Sequence, residues 1–384
     1  MTQIAITRFK HISIKGYRRL YSVEVPIKPL TVMIGANGVG KTAFLEVFSL
    51  LAASAKGQLA EKLSDLGGIS DILTRDKADS LSFELSMAVP DSVPFDYALH
   101  LNSHGEYYDI GIETLVQERQ YIERHGPTVN YYDVLAKKFT PLEQAAPRFE
   151  TFLSQLPQIS EQEKFRSRLA QTTYYGAYAL NVGSKGPLRL PQKMQPTNSP
   201  GKNGEYLVSY LYYLRETDPS RFETIEDTLK AAFPSFKELR FPPVAAGMLA
   251  LTWHDKHFST PLYMQQLSEG TLRFLWLVTL LQSRDLPAIT LIDEPEVSLH
   301  PELLGLLSSL MREAAENTQL IVATHSDRLI GFLKPFEVLV MDADEDGLTN
   351  MMWADDEEFD LEHWLEEYSL DELWRMGCMG GRAV

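Results

Sequence analysis

Residues 35–42 read Gly-Ala-Asn-Gly-Val-Gly-Lys-Thr. They lie between a continuous apolar run, Leu30–Ile34, and a helical pattern running from Thr42 to about Ala55. G-x-x-x-x-G-K-[ST] between a strand and a helix is a phosphate-binding loop with a physical basis. The glycines let backbone N–H groups turn inward around phosphate oxygens, and the helix N-terminus adds partial positive charge. Here Asn37, Gly38, Val39 and Gly40 form the cradle. Lys41 neutralises β- and γ-phosphates, and the Thr42 hydroxyl is a ligand for Mg2+. The expected ligand is therefore ATP with Mg2+. The apolar run before the loop is the mark of a strand buried on both faces, hence of a parallel α/β core.

Three later segments belong with this loop. Ile289–Ile292 is a second apolar strand, and it ends in Asp293-Glu294-Pro295-Glu296. A carboxylate at the C-terminal end of such a strand is where Mg2+ needs a ligand, a role for Asp293. Glu294, one residue on, can orient or deprotonate the attacking water. Gln319–Ala323 reads as the next buried strand and closes on Thr324-His325-Ser326. A lone histidine there is commonly structural; in this series His325 reads as a γ-phosphate sensor. Leu267-Ser268-Glu269-Gly270-Thr271 precedes a helix over 270–283. Alone it is explained by a simple N-cap, but its place before the acidic strand gives it more weight.

In order and spacing, the four motifs resemble those of ABC-type ATPase heads, and within these the RecF/SMC/OLD-like branch of bacterial ATP-binding proteins. Ile14–Leu20 is similar to that branch's first strand and turn, and Glu294–Pro301 to its Walker B and D-loop run. The likeness covers roughly 1–55 and 262–341. It implies an α/β fold: a P-loop NTPase head with a mixed parallel core sheet, an antiparallel β subdomain and a mainly helical insertion. It further implies a homodimer with ATP sandwiched between heads, Ser268 and Gly270 reaching the γ-phosphate in trans, and leaves assembly beyond the pair open. Glu269 and Thr271 stand where a transporter signature has glycine and glutamine, and His300 where the D-loop has aspartate. These departures argue against a transporter. So does the lack of any apolar run near the roughly 18–20 residues that span a bilayer.

The expected organisation is an N-terminal head segment over 1–113, a mainly helical insertion over 114–245, a C-terminal head segment over 246–341 and an acidic tail over 342–384. Gly16 marks a turn after a strand over Ile4–Ile14, and residues 81–113 alternate as short antiparallel strands turning at Pro90, Pro94 and Gly105. Helical patterns fall at 141–156, 160–171, 204–216 and 220–233. Recurrent prolines exclude a long heptad arm. Of the net charge of −16, most sits after residue 341, where fourteen acidic residues face only Arg375 and Arg382. The body is nearly balanced, so global charge neither supports nor excludes nucleic-acid binding. A single cysteine, Cys378, rules out an intrachain disulfide, and the N-terminus lacks a signal peptide's apolar block. A cytoplasmic protein with no membrane partner is expected.

The stretch after His325 is too short for the Toprim nuclease that OLD-family chains carry there. The resemblance therefore implies a stand-alone head that gates or scaffolds a separate effector, a nuclease or toxin, in bacterial anti-phage defence. A RecF-like DNA-repair ATPase is the rival reading, and a nucleotide-locked scaffold with negligible turnover is another, disfavoured by an intact Glu294. DNA is left open as a partner. The basic candidates are Lys10, Lys15, Arg18, Arg19, Lys137, Lys138, Arg166, Arg168, Lys185, Arg189 and Lys193, with Tyr174, Tyr175 and Tyr178 among them as stacking aromatics. Leu361, Trp364, Leu365 and Tyr368 share one helical face, a terminal packing helix or an effector-docking element.

Overall fold

The computed structural model describes residues 7–156, 161–176, 179–183, 185–359, 364 and 367–379. The described chain divides into two compact units: residues 1–173 with 334–384, and residues 174–333.

The first unit opens with a hairpin of β1 (Arg8–Tyr17) and β2 (Leu20–Pro26). The turn is made at Arg18, with φ 49°, not at Gly16. Gly16 lies inside β1 with φ 82°, and a Cβ there would sit 2.2 Å from the Ser80 carbonyl oxygen. Close approach of backbone, not chain reversal, is what requires this glycine. β3 (Leu30–Ile34) is buried at every position, as its unbroken apolar sequence demands. It leads into α1 (Lys41–Lys56), which Gly57 ends in the left-handed conformation. Two short helices follow, α2 (Leu59–Asp65) and α3 (Ile69–Ile72).

Next come β4 (Ser80–Ala88), β5 (Phe95–His104), β6 (Tyr107–Val116), β7 (Gln120–His125), β8 (Thr128–Asp133) and β9 (Lys138–Pro141). They form one eight-stranded antiparallel sheet in the order β2-β1-β4-β5-β6-β7-β8-β9. The alternation read over 81–113 is there, but the sheet runs on through β9. The first part of 114–245 is therefore strand. α4 (Glu161–Ala170) lays Phe165 against Phe9, Phe95 and Tyr97 of this sheet.

The helix expected over 141–156 does not form; only a 3-10 turn at Leu153–Gln155 is present. Its backbone groups are taken by distant side chains. Arg124 donates from Nη1 to the Glu150 carbonyl and from Nη2 to that of Pro147, at 2.9 and 2.7 Å. Glu113 accepts the Phe152 and Leu153 amides at 2.7 and 2.8 Å. Those groups would otherwise serve the i→i−4 ladder. Arg124 and Glu113 are buried and 3.8 Å apart. Removing one charge of a buried pair strands the other, at a cost of about 3–5 kcal/mol. Arg124→Ala should lower the unfolding free energy of this unit by about that amount, read by chemical denaturation; a loss below ~1 kcal/mol, a surface-pair value, would contradict the packing described.

The chain continues with β10 (Thr172–Gly176), which crosses the boundary into the second unit. There β11 (Gln192–Lys193) pairs with β13 (Met248–Leu249). β12 (Phe236–Arg240) pairs with β14 (Thr252–Asp255), which pairs with β15 (Leu262–Tyr263). The helices α5 (Leu207–Thr217) and α6 (Pro219–Ala232) lie where the periodicity put them. Asp218 caps α6 and Pro219 fills its first position, where a missing N–H costs nothing. α7 (Glu269–Leu281) is buried from Leu272 to Leu281. β16 (Ile289–Asp293) and β17 (Gln319–Ala323) pair in parallel, with α8 (Leu304–Asn317) between them in sequence. A short α9 (Asp327–Ile330) follows.

The chain then returns to the first unit. β18 (Val338–Ala343) pairs in parallel with β3, with Val340 opposite Ile34, and antiparallel with β19 (Thr349–Trp353). In the acidic tail, Ser369 and Glu372 form the expected capping box of a helix over Leu370–Met376, and Leu370 and Leu373 are buried. Trp364 and Tyr368 are exposed, while Leu361 and Leu365 lie outside the described residues. Among the described residues no helix is long and apolar enough to cross a membrane.

Candidate nucleotide site

The expected site residues fall in both units. In the first, the loop of residues 35–42 is pinned from behind and open in front. A Cβ on Gly35 would lie 2.2 Å from the Met341 carbonyl oxygen, so only glycine lets β18 come this close. The Thr349 hydroxyl donates to the Val39 carbonyl at 2.6 Å. Gly38 and Gly40 take φ of 78° and 110°, values that favour glycine. Asn37 and Gly38 are exposed, and no atom lies within 4 Å of where a Gly38 Cβ would stand. α1 starts without a side-chain cap and without an acidic residue in its first turn. The N-cap, Gly40, brings no side chain of its own to the first amides, an arrangement that suits an anion. Lys41 is 4% exposed, and its Nζ donates to the Gly35 and Ala36 carbonyls at 2.7 and 2.9 Å. Thr42 is exposed at the start of the helix. A helix N-terminus behind a glycine loop, a held ammonium and an exposed Thr42 fit a polyphosphate with its metal ion.

In the second unit the β16–β17 register places Asp293 opposite Ala323, so both strands deliver their motifs at the same end. Glu294 has φ 52°, a conformation that side-chain-bearing residues rarely adopt. Its N–H donates to the Ala323 carbonyl at 2.8 Å. This backbone turn aims the carboxylate at His325, with Oε1 and Nε2 3.4 Å apart. Strained positions of this kind gather at functional sites. Asp293, Glu294 and His325 are thus brought together.

Two partners of these groups have roles the sequence does not show: Tyr174, which reads there as a stacking aromatic, and Glu296. The Tyr174 hydroxyl donates to Asp293 Oδ2 at 2.9 Å. Glu296 Oε1 accepts the Thr324 hydroxyl at 2.5 Å and the His325 amide at 3.1 Å, while its Oε2 is buried without a partner. Burial pushes the Glu296 carboxyl above its ordinary value, and the Thr324 hydroxyl only partly offsets this. Glu296 therefore ties the acidic turn to the backbone of the histidine loop. The last acid of Asp-Glu-Pro-Glu is its only sequence signal.

Ser268 caps α7, its Oγ accepting the Thr271 amide at 3.1 Å. Glu269 Oε1 accepts from Arg273 Nε and from Ser298 Oγ, both at 2.9 Å. The Arg273 bond and then the Ser298 bond hold Glu269 below the usual carboxylate range. This gives the departure at Glu269 a local reason: it joins the start of α7 to the turn after β16. A Cβ on Gly270 would meet the Ser298 carbonyl oxygen at 2.4 Å, so that glycine also permits a contact within one copy. His300 is exposed and caps the 3-10 turn Pro301–Leu303.

The basic and aromatic nucleic-acid candidates fare unevenly. Arg18 is paired with Glu46, Arg166 with Glu163, and Arg168 donates to the Thr7 carbonyl. Arg19 donates to the Gly347 carbonyl, and Arg189 to four backbone carbonyls. Tyr175 is buried against Trp276, and burial pushes its hydroxyl up to about 12. With Tyr174 held on Asp293, neither tyrosine is a free stacking platform; Tyr178 lies outside the described residues. The guanidinium forks found internal oxygens that a sequence cannot display. Lys10, Lys15, Lys137, Lys138, Lys185 and Lys193 are exposed.

Solved structures share this fold at low identity. An SmcHead bound to the C-winged helix domain of ScpA is 12% identical with a TM-score of 0.58, covering 90% of this chain and 97% of that one. An Smc head domain with an extended coiled coil, bound to the C-terminal domain of ScpA derived from Pyrococcus furiosus, is 10% identical with a TM-score of 0.53, covering 94% and 100%. The SMC head domain from Thermotoga maritima is 14% identical with a TM-score of 0.50, covering 90% and 98%. At such identities the likeness is one of fold alone, that of an SMC head domain. Comparison with curated proteins finds no match. A family model described as "AAA domain, putative AbiEii toxin, Type IV TA system" matches residues 30–331, most of the chain. The chain belongs to that AAA family.

Proposed function

We propose that this protein binds and hydrolyses ATP, that two copies close around the nucleotide, and that the closed pair gates a separate effector protein. The observation that carries hydrolysis is the Glu294–His325 pair: a carboxylate held in a strained turn 3.4 Å from an imidazole. A scaffold that merely held nucleotide would not need it. Lys41 and the amides of residues 37–42 would bind the phosphates, and Thr42 and Asp293 offer the oxygen ligands that Mg2+ prefers. Mg2+, when bound, neutralises developing phosphate charge. Glu294 would take or orient the proton of the attacking water, and His325 would sense the terminal phosphate.

Pairing is supported by the exposed Ser268 at the N-terminus of α7, an anion-binding end that an isologous dimer would present to a partner's phosphate. The effector is supported by the family's description as part of a toxin–antitoxin system, and by the fold relatives solved with a bound ScpA domain. The segments 1–113 and 246–341 would act as the head, with 114–245 and the acidic tail 342–384 as surfaces for effector and assembly. The test is ATP turnover per chain as protein concentration rises. Turnover should climb and then level as copies pair; a flat value down to the lowest measurable concentration contradicts the shared site.

A further inference from the structure

Leu267, where the segment Leu267–Gly270 begins, is held through its carbonyl by a side chain from far away in sequence. Arg189 closes a 3-10 turn, Pro187–Arg189, far from residue 267 in sequence. Its Nη1 donates to the carbonyls of Met264, Gln265 and Leu267 at 3.0, 3.1 and 2.9 Å, and its Nε to that of Val182 at 2.7 Å. Three of these carbonyls belong to the 3-10 turn Met264–Gln266 and the residue that ends it. The Met264 carbonyl also accepts the Leu267 amide that closes the turn, and a cation placed at the carbonyl end of a helical turn is favourable. Leu267 is the residue before Ser268, so its carbonyl fixes the peptide from which the capping serine and the first amides of α7 project. A second tie runs the same way: Trp276 Nε1 in α7 donates to the Gly201 carbonyl at 2.9 Å.

We infer that Arg189 is a positioning residue for the signature: it sets the placement of Ser268 and Gly270, and so acts on the ATP pocket of the partner copy and not on its own. This rests on the paired-head reading above. A planar fork is needed, because Nε and Nη1 reach acceptors on two separate segments. A lysine ammonium is a single point and cannot span both.

The test is complementation between inactive copies. Arg189→Ala and Arg189→Lys should each cut turnover at least tenfold. Binding of a fluorescent ATP analogue to the dilute single chain should stay within twofold of wild type, because the P-loop is untouched. Mixed with Lys41→Ala, either variant should regain turnover: the mixed pair has one pocket in which an intact P-loop meets an intact signature. With random pairing and one good pocket per mixed pair, recovery approaches about a quarter of wild type. Ser268→Arg mixed with Lys41→Ala is the control. If the control recovers and Arg189→Ala does not, Arg189 acts within its own copy or only on folding, and the inference is overturned. Wild-type turnover by Arg189→Ala alone overturns it as well. If neither mixture recovers, the shared-pocket reading itself fails and takes the inference with it.

Discussion

Glu294→Gln should bind ATP with near-normal affinity and hydrolyse it at least about a hundredfold more slowly, the lower end of what a positioned acid–base group contributes. Glutamine keeps the size of the side chain and can occupy the same left-handed turn at a similar strain, so the backbone bond from residue 294 to Ala323 should persist. What is lost is the proton acceptor. His325, 3.4 Å away, would remain beside an amide that cannot take a proton from water. Radiolabelled ATP retained after gel filtration, together with phosphate release, separates binding from turnover. Turnover at the wild-type rate would show that another group does the work, and Glu296, two residues further along the acidic turn after β16, would be the first suspect.

Lys41→Ala should fail one step earlier. The ammonium is buried and donates to the Gly35 and Ala36 carbonyls. Its loss removes the only side-chain cation in the loop sequence 35–42 and leaves those carbonyls without that donor. Hydrogen bonds to charged groups are worth about 1.5–3 kcal/mol each, so ATP affinity should drop by roughly 10- to 150-fold, and turnover at any workable ATP concentration should vanish. Equilibrium titration with a fluorescent ATP analogue reads the first effect. Unchanged affinity would mean the glycine loop binds something other than a triphosphate. The two variants thus stop the cycle at different points, before binding and after it.

The contrast between these residues and the rest of the chain shows what a sequence exposes. β3, the loop and α1 are contiguous, and each step is dictated locally: an apolar run, glycines at positive φ, a helix that starts at a glycine. β16 with Asp293 and Glu294, and β17 with His325, follow the same logic. The stretch 141–156 has a helical periodicity but forms no helix, because backbone groups of residues 147–153 bond to Arg124 and Glu113, which come from β7 and β6. Gly16 was misread because its reason is the Ser80 carbonyl on a neighbouring strand. Tyr174 and Arg189 looked like nucleic-acid contacts, since nothing in a linear string says that Asp293 or the Leu267 carbonyl is their partner. Glu269 looked like a mere departure from a signature until Arg273 and Ser298 appeared on its carboxylate. Local chemistry is readable in the sequence, and most side-chain partners that arrive from other elements are not.

Everything functional turns on two copies sharing each nucleotide. The most direct measurement is the solution mass of Glu294→Gln by light scattering, with and without ATP and Mg2+. The account predicts one chain's mass without nucleotide and twice that mass with ATP, falling back when Ser268→Arg is added to the same chain. A mass that stays at a single chain under saturating ATP would contradict it.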